Sequence, residues 1–272
     1  MSPIAPAPER LRVATWNLNS LRARLAGVDR FLERSRPDVL CLQETKAAQI
    51  GKEAAAVFDR HGYYVAHVGS GGYNGVAIAA TLPMSEVVCS GGFGDDVLDR
   101  EPRLVTCVLE VPEPLRVVSV YAPHGRATDH WHFEYKLEFF AALTGRFSEW
   151  IAGGGLVAAG DVNVAATDSD VFHPDAFVNS VYVTPPARAA LAGLLGTGLT
   201  DVDVACWGAG ARRFTWWDLG PGYQRDLGMR LDVIAADGVL AKRLDTTWID
   251  HVGRSEERPS DHAALVADFR RV

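Results

Sequence analysis

The chain has no excess of basic residues: 27 Lys and Arg stand against 34 Asp and Glu, a formal net charge of −7. That balance argues against a protein that coats nucleic acid by bulk positive charge, while leaving room for a local basic face. Cysteine is scarce, and Cys41, Cys89, Cys107 and Cys206 show no paired spacing. A disulfide framework and a zinc knuckle are both disfavoured; Cys41 and Cys107 lie inside apolar runs and read as small core residues. No apolar run approaches the roughly 20 residues needed to cross a bilayer. No basic start followed by an apolar stretch suggests a secretory signal. These absences together lead us to expect a reducing cytoplasm and no membrane association. Repeats, low-complexity tracts and Ser/Gly/Pro-rich linkers are also missing.

What is present is an ordinary globular composition over 272 residues, 48% hydrophobic and 22% charged, enough for one large core. Met1 to Pro8 carry three prolines and no apolar periodicity. Residues 1–10 are therefore expected as a loose arm and 11–272 as a single, monomeric domain. Short β-branched runs alternate with helical patterns. Strands are expected at Leu11–Trp16, Asp38–Gln43, Gly75–Ala80, Arg103–Val111, Leu115–Tyr121, Leu156–Ala159, Leu231–Ala235, Thr246–Ile249 and Ala263–Phe269. Helices are expected from Leu25 to before Pro37, at Lys52–His61, at Trp131–Trp150 and at Pro185–Leu195. Strand runs apolar on both faces suggest a covered sheet, and the helix-free stretch from Gly75 to Tyr121 suggests antiparallel pairing. An α/β (α+β) sandwich of mixed sheets with outer helices satisfies both.

Polar residues fall where these runs end. Asn17 and Asn19 close the first, Gln43 and Glu44 the second, Tyr121 and His124 another, Asp161 and Asn163 another; Asp232 interrupts Leu231–Ala235, and Asp261-His262 precede the last. Strand ends are where a rigid sheet presents side chains to a ligand. Turn chemistry explains Asn19 or Asp201 taken alone. Asp232 and Asp261 adjoin runs that should be buried, where a carboxylate needs a partner or a metal. The oxygen-rich set suits Mg²⁺ or Mn²⁺, and a neighbouring His suits phosphate or proton transfer.

Six segments resemble, in order, the motifs of the exonuclease III family of abasic-site endonucleases, in the endonuclease/exonuclease/phosphatase superfamily. They are Thr15–Arg24, Pro37–Lys46, Tyr121–Gly125, Gly160–Val164, Arg230–Asp232 and Ser260–His262. The resemblance implies a four-layer α/β/β/α sandwich and a Mg²⁺- or Mn²⁺-dependent DNA phosphodiesterase that cuts 5′ to abasic sites and leaves a 3′-hydroxyl. Exonuclease and 3′-end-cleaning activities would accompany it, and the partner would be double-stranded DNA with abasic sites or 3′ ends. By matching position, Tyr121, Asp161, Asn163, Asp232 and His262 would be catalytic. Glu44 would hold the metal, with Asn17, Asp161, Asn163, Asp261 and His262 around it.

Asn19, Arg22, Arg126, Trp216, Met229 and Leu231 would meet the substrate. The last three would wall a pocket for a baseless sugar, with Trp217 packing behind. Met229 and His124 depart from the residues relatives carry, so pocket shape is not fixed by the resemblance. Arg22, Arg24, Arg126, Arg212, Arg213, Arg225 and Arg230 are each ordinary surface arginines by default, and as a group a candidate phosphate-tracking rim. His61, His67, His173 and His251 are expected on the surface or in loops, and His130 and His132 lack a zinc spacing. A phosphatase or lipid phosphodiesterase on the same scaffold would need a headgroup loop that is not visible. A non-catalytic binding module would have lost some of Glu44, Asp161, Asp232, Asp261 and His262, all of which are present.

Overall fold

The structure, a computed structural model, describes residues 10–89, 92–111 and 113–270. Most of the expected N-terminal arm therefore lies outside the described residues, while Arg10 already belongs to the first strand. In chain order, β1 (Arg10–Asn17), α1 (Leu21–Ser35), β2 (Val39–Gln43), α2 (Lys52–Arg60), β3 (Tyr64–Val68) and β4 (Val76–Ala80) come first. There follow β5 (Met84–Cys89), β6 (Leu104–Leu109), β7 (Leu115–Tyr121), α3 (Trp131–Ala152), β8 (Gly155–Asp161) and α4 (Pro185–Leu195). The rest comprises β9 (Leu199–Asp201), α5 (Val202–Trp207), β10 (Trp216–Trp217), β11 (Gly228–Met229), β12 (Asp232–Asp237), α6 (Gly238–Ala241), β13 (Leu244–Asp250) and β14 (Ala264–Arg270).

Two six-stranded mixed sheets result, ordered β13-β14-β1-β2-β4-β3 and β5-β6-β7-β8-β12-β9. Strand alternation builds the layers. Val13, Val39, Cys41 and Ile78 point inward against Cys107, Val117, Val157 and Ile234 of the other sheet. Ala14, Trp16, Leu40 and Leu42 point outward under α1 and α2, with Phe31 and Phe58. Val118, Val120, Leu156 and Ala158 lie under α3 and α4 with Phe139, Phe140 and Leu191. This is the expected four-layer sandwich. The helix-free stretch is antiparallel through β5, β6 and β7, but β4 joins the other sheet, between β2 and β3. Among the described residues no helix is long and apolar enough to cross a membrane.

Each sheet contains one parallel pair, β1–β2 and β7–β8, joined by crossover helices α1 and α3. α1 stops where expected: Arg36 adopts a left-handed cap before Pro37. The carboxyl ends of both parallel pairs face the same side. Asn17 ends one beside Gln43, and Tyr121 ends the other beside Asp161. A polar bridge joins the sheets just below, where Gln43 accepts from Thr15 at 3.2 Å and donates to Ser119 at 3.2 Å. Gly160 permits the approach of β8 to β7, because a Cβ there would lie 1.8 Å from the Val120 carbonyl oxygen.

Candidate active site

Asn17, fully buried at the end of β1, is the hub. Its Nδ2 donates to Glu44 Oε1 at 3.0 Å and to Asp161 Oδ2 at 2.9 Å, thereby linking the two sheets. Tyr121 OH donates to the same Glu44 oxygen at 2.9 Å. Lys46 Nζ pairs with Glu44 Oε2 at 2.9 Å and donates to Asn19 Oδ1 at 2.6 Å. Asn19 Nδ2 and Trp216 Nε1 each donate to Asp261, both at 3.1 Å. Across the cleft, His262 Nδ1 lies 2.7 Å from Asp232 Oδ2 and its Nε2 lies 3.7 Å from Asp161 Oδ2. Asp161 and Asp232 are direct cross-strand neighbours of β8 and β12. The Asn163 N–H donates to Asp161 Oδ1 at 2.9 Å, and its Nδ2 to the Ala122 carbonyl at 3.0 Å. The structure thus brings Asn17, Asn19, Glu44, Tyr121, Asp161, Asn163, Asp232, Asp261 and His262 into one cleft.

The backbone is unusual at the same place. Asn19, Glu44, Lys46 and Asn163 all have φ between 48° and 51°, a left-handed conformation that costs energy for a residue with a Cβ. Each follows a buried strand within a few residues, so sheet pairing holds the turn in place.

Electrostatics divides the cleft. Burial opposes ionisation of Glu44, but hydrogen bonds from Lys46, Asn17 and Tyr121 prevail and hold its carboxyl below the usual range. Asp261 is likewise held low against burial, by the His262 charge and by Asn19 and Trp216. Burial lifts Asp161 to about 7, with the nearby Asp232 charge adding to it and His262 opposing. Burial disfavours the His262 imidazolium, yet the Asp232 charge and hydrogen bond, with Asp161 and Asp261, raise it to about 10. Burial drives Tyr121 well up, helped by Glu44 and Asp161, so it stays a phenol. Arg103 stacks beneath Tyr121, 5.1 Å from the ring centre.

The donor set fits a divalent cation. Ionised Glu44 and Asp261 with the amides of Asn17 and Asn19 are hard oxygen donors, and Asp232 Oδ1 is buried without a partner among the described residues. Among the described residues no three His, Cys, Asp or Glu side chains form a closed cage, so a cation here would rely on one or two carboxylates and water. His262 fits the expected ligand role least, since an imidazolium has no lone pair to offer.

Trp216 is half-buried, whereas Met229 and Leu231 are fully covered beneath it, with Tyr182 alongside. The Tyr182 and Trp216 rings stand 6.2 Å apart, and Tyr182 OH meets His124 Nε2 at 2.8 Å. Trp217 is buried, its Nε1 on Asp226.

The arginines part company. Arg22, Arg126 and Arg225 are exposed. Arg230 is a correction to the expected rim: it is buried, bonded to Asp170 at 2.7 Å and Asp201 at 2.6 Å. Arg213 is likewise committed, to Asp203 at 3.0 Å. His67 is no loop residue either; it lies on β3 with Nε2 2.9 Å from the Thr45 hydroxyl. Neither Lys46 nor Tyr182 is among the site residues to which the sequence points. Lys46 lies inside the Glu44 motif, two residues on; nothing in the sequence marks Tyr182.

Two facing mixed sheets with a carboxylate–imidazole–amide cleft at their shared edge define a class, and comparison agrees: the chain belongs to the endonuclease/exonuclease/phosphatase family, which matches residues 14–262. Exodeoxyribonuclease III of Haemophilus influenzae is 29% identical over 272 residues, covering 96% of this chain and all of that protein. The 3′ phosphatase NExo from Neisseria, solved with a product DNA hairpin, shares 34% identity and a TM-score of 0.90 over 96% of this chain and 100% of its own. An AP endonuclease from Archaeoglobus fulgidus shares 36% identity and a TM-score of 0.88 over 95% and 99% of the two chains. Within the family, these relatives place the chain in the exonuclease III and AP endonuclease branch of hydrolases. Nucleases of this family generally depend on a divalent metal.

Proposed function

We propose that the cleft hydrolyses phosphate esters of damaged double-stranded DNA, cutting 5′ to abasic sites to leave a 3′-hydroxyl and clearing blocked 3′ ends, with Mg²⁺ or Mn²⁺. The observation that carries the reading is the unbroken contact path Glu44–Asn17–Asp161–His262–Asp232.

Roles follow from the protonation states. Asp161, poised near 7 and held by Asn17 and Asn163, accepts a proton from the attacking water. His262, kept charged by Asp232, directs Nε2–H at a phosphoryl oxygen, and Asp232 fixes the ring orientation. The Tyr121 phenol donates near the departing oxygen, and the Asn163 amide orients the group in flight. Glu44, with Asn17 and Asp261 beside it, would hold the cation, which when bound supplies Lewis-acid stabilisation of charge on the phosphate. Arg22 and Arg126 supply exposed positive charge for the backbone.

One feature favours a second emphasis. Tyr182 and Trp216 close over Met229 and Leu231, so a sugar flipped from within a duplex meets a filled wall, whereas a terminal 3′ phosphate asks for less room. On this reading, 3′-end processing exceeds abasic cutting. One panel separates the two: abasic duplex, recessed 3′ end, 3′-phosphate end and intact duplex, each with Mg²⁺ and with EDTA. Cleavage that survives EDTA overturns the metal-assisted mechanism, and preference for an inositol phosphate overturns the DNA assignment.

A further inference from the structure

Lys136 is fully buried on α3. Among the described residues it forms no ion pair. Its Nζ instead donates to three backbone carbonyls: Asn163 at 2.7 Å, Val181 at 2.9 Å and His124 at 3.3 Å. An ammonium has three donors and no acceptor, so the match is complete. The carbonyls belong to three separate segments, following β7, following β8 and preceding α4. Burying an ammonium is costly, and α3 does not need one here, because Phe133, Phe139 and Phe140 already pack its inner face. The irregular segments do need it, since their buried carbonyls must be paired.

Asn163 gains most. It holds a left-handed φ of 51°, which persists only where the surroundings over-determine it. Its N–H is on Asp161, its side-chain amide on Ala122, and its carbonyl on Lys136. We propose that Lys136 is a positioning residue of the hydrolytic site, its ammonium tying three loops together so that Asn163 is held beside Asp161. The same tie places Val181, and with it Tyr182, whose ring centre is 6.0 Å from Nζ. The inference rests on the reading that this cleft hydrolyses DNA phosphate esters.

The test is a double-mutant cycle in the full chain, with Lys136→Met, Asn163→Ala and the pair, assayed on the DNA panel with Mg²⁺. A displacement of ~1 Å in a catalytic group costs roughly 10²-fold, so Lys136→Met is expected to lower kcat by about that factor. KM should stay within roughly 3-fold, and the double variant should lose no more than Asn163→Ala alone, because the lysine acts through the asparagine. Losses that multiply, or a kcat within roughly 3-fold of wild type, overturn the proposal. If Lys136→Met does not fold at the assay temperature, the ammonium measurement on the unaltered protein decides. In parallel, the unaltered protein labelled with ¹⁵N-lysine has only four lysines to resolve. At mildly acidic pH one slowly exchanging ammonium signal, at Lys136, is expected; four freely exchanging ones contradict the tie. A wild-type protein that cleaves no member of the panel sinks the hydrolytic reading itself, whereas an active wild type with an active Lys136→Met sinks only the positioning role.

Discussion

The imidazole Nε2 of His262 stands 3.7 Å from the Asp161 carboxylate, and the two groups hold more protons in the folded protein than in the unfolded chain. Asp161 is lifted from 3.8 to about 7, chiefly by burial, so its contribution falls as pH rises through that window. His262 is lifted from 6.5 to about 10 by its carboxylate neighbours despite burial; its contribution is complete below about 6.5 and is lost as pH rises through about 10. Replacing Asp161 by Asn removes the first window. In EDTA, the melting temperature of Asp161→Asn should gain on wild type by a few °C between about pH 4 and pH 7. Parallel curves would show that the carboxyl is not lifted.

Gly160 makes the register of the site possible. A Cβ 1.8 Å from the Val120 carbonyl forces β8 away from β7 immediately before Asp161. Gly160→Ala should cost about 3 kcal/mol or more in urea unfolding, and should reduce turnover beyond what the stability loss explains. An alanine tolerated within about 0.5 kcal/mol would contradict that packing.

Arg230 and Arg126 should separate cleanly. Arg230 bridges two buried carboxylates, so Arg230→Met should destabilise by roughly 3–5 kcal/mol. Arg126 is exposed. Arg126→Ala should leave the melting temperature unchanged and lower the salt slope of DNA binding by about one counterion. The reverse pattern would return Arg230 to the rim.

Tyr182 tests the shape of the pocket. Removing its ring opens space against Trp216 and frees His124. Tyr182→Ala should raise the ratio of abasic-site cutting to 3′-phosphate removal by roughly 10-fold or more, the scale of a lost side-chain clash. An unchanged ratio would mean that Tyr182 does not set substrate size.

Much of this architecture is legible in the chain. Strands covered on both faces, such as β1, β2, β7 and β8, announce themselves as apolar runs, and α1 and α4 are bounded by Pro37 and by Thr184-Pro185. Edge strands are harder. β3 and β5 carry Tyr64, His67, Ser85 and Glu86 on partly open faces, so no clean alternation marks them. The polar strand ends identify most of the cleft because rigid sheets place them. Partners distant in sequence stay hidden: Arg230 looks like a rim residue until Asp170 and Asp201, 60 and 29 positions away, fold against it. Lys136 likewise looks like one polar residue in an amphipathic helix until three loops close around it.

The most direct test is single-turnover cleavage of the preferred DNA substrate in Mg²⁺ by wild type and Asp161→Asn, with DNA affinity measured alongside. Among the described residues, Asp161 is the only group bonded to both Asn17 and Asn163 and adjacent to His262. The variant should bind within roughly 3-fold of wild type and cleave roughly 10³-fold or more slowly. Cleavage within roughly 10-fold of wild type would mean that the proton leaves the water by another route and that the cleft does not work as described.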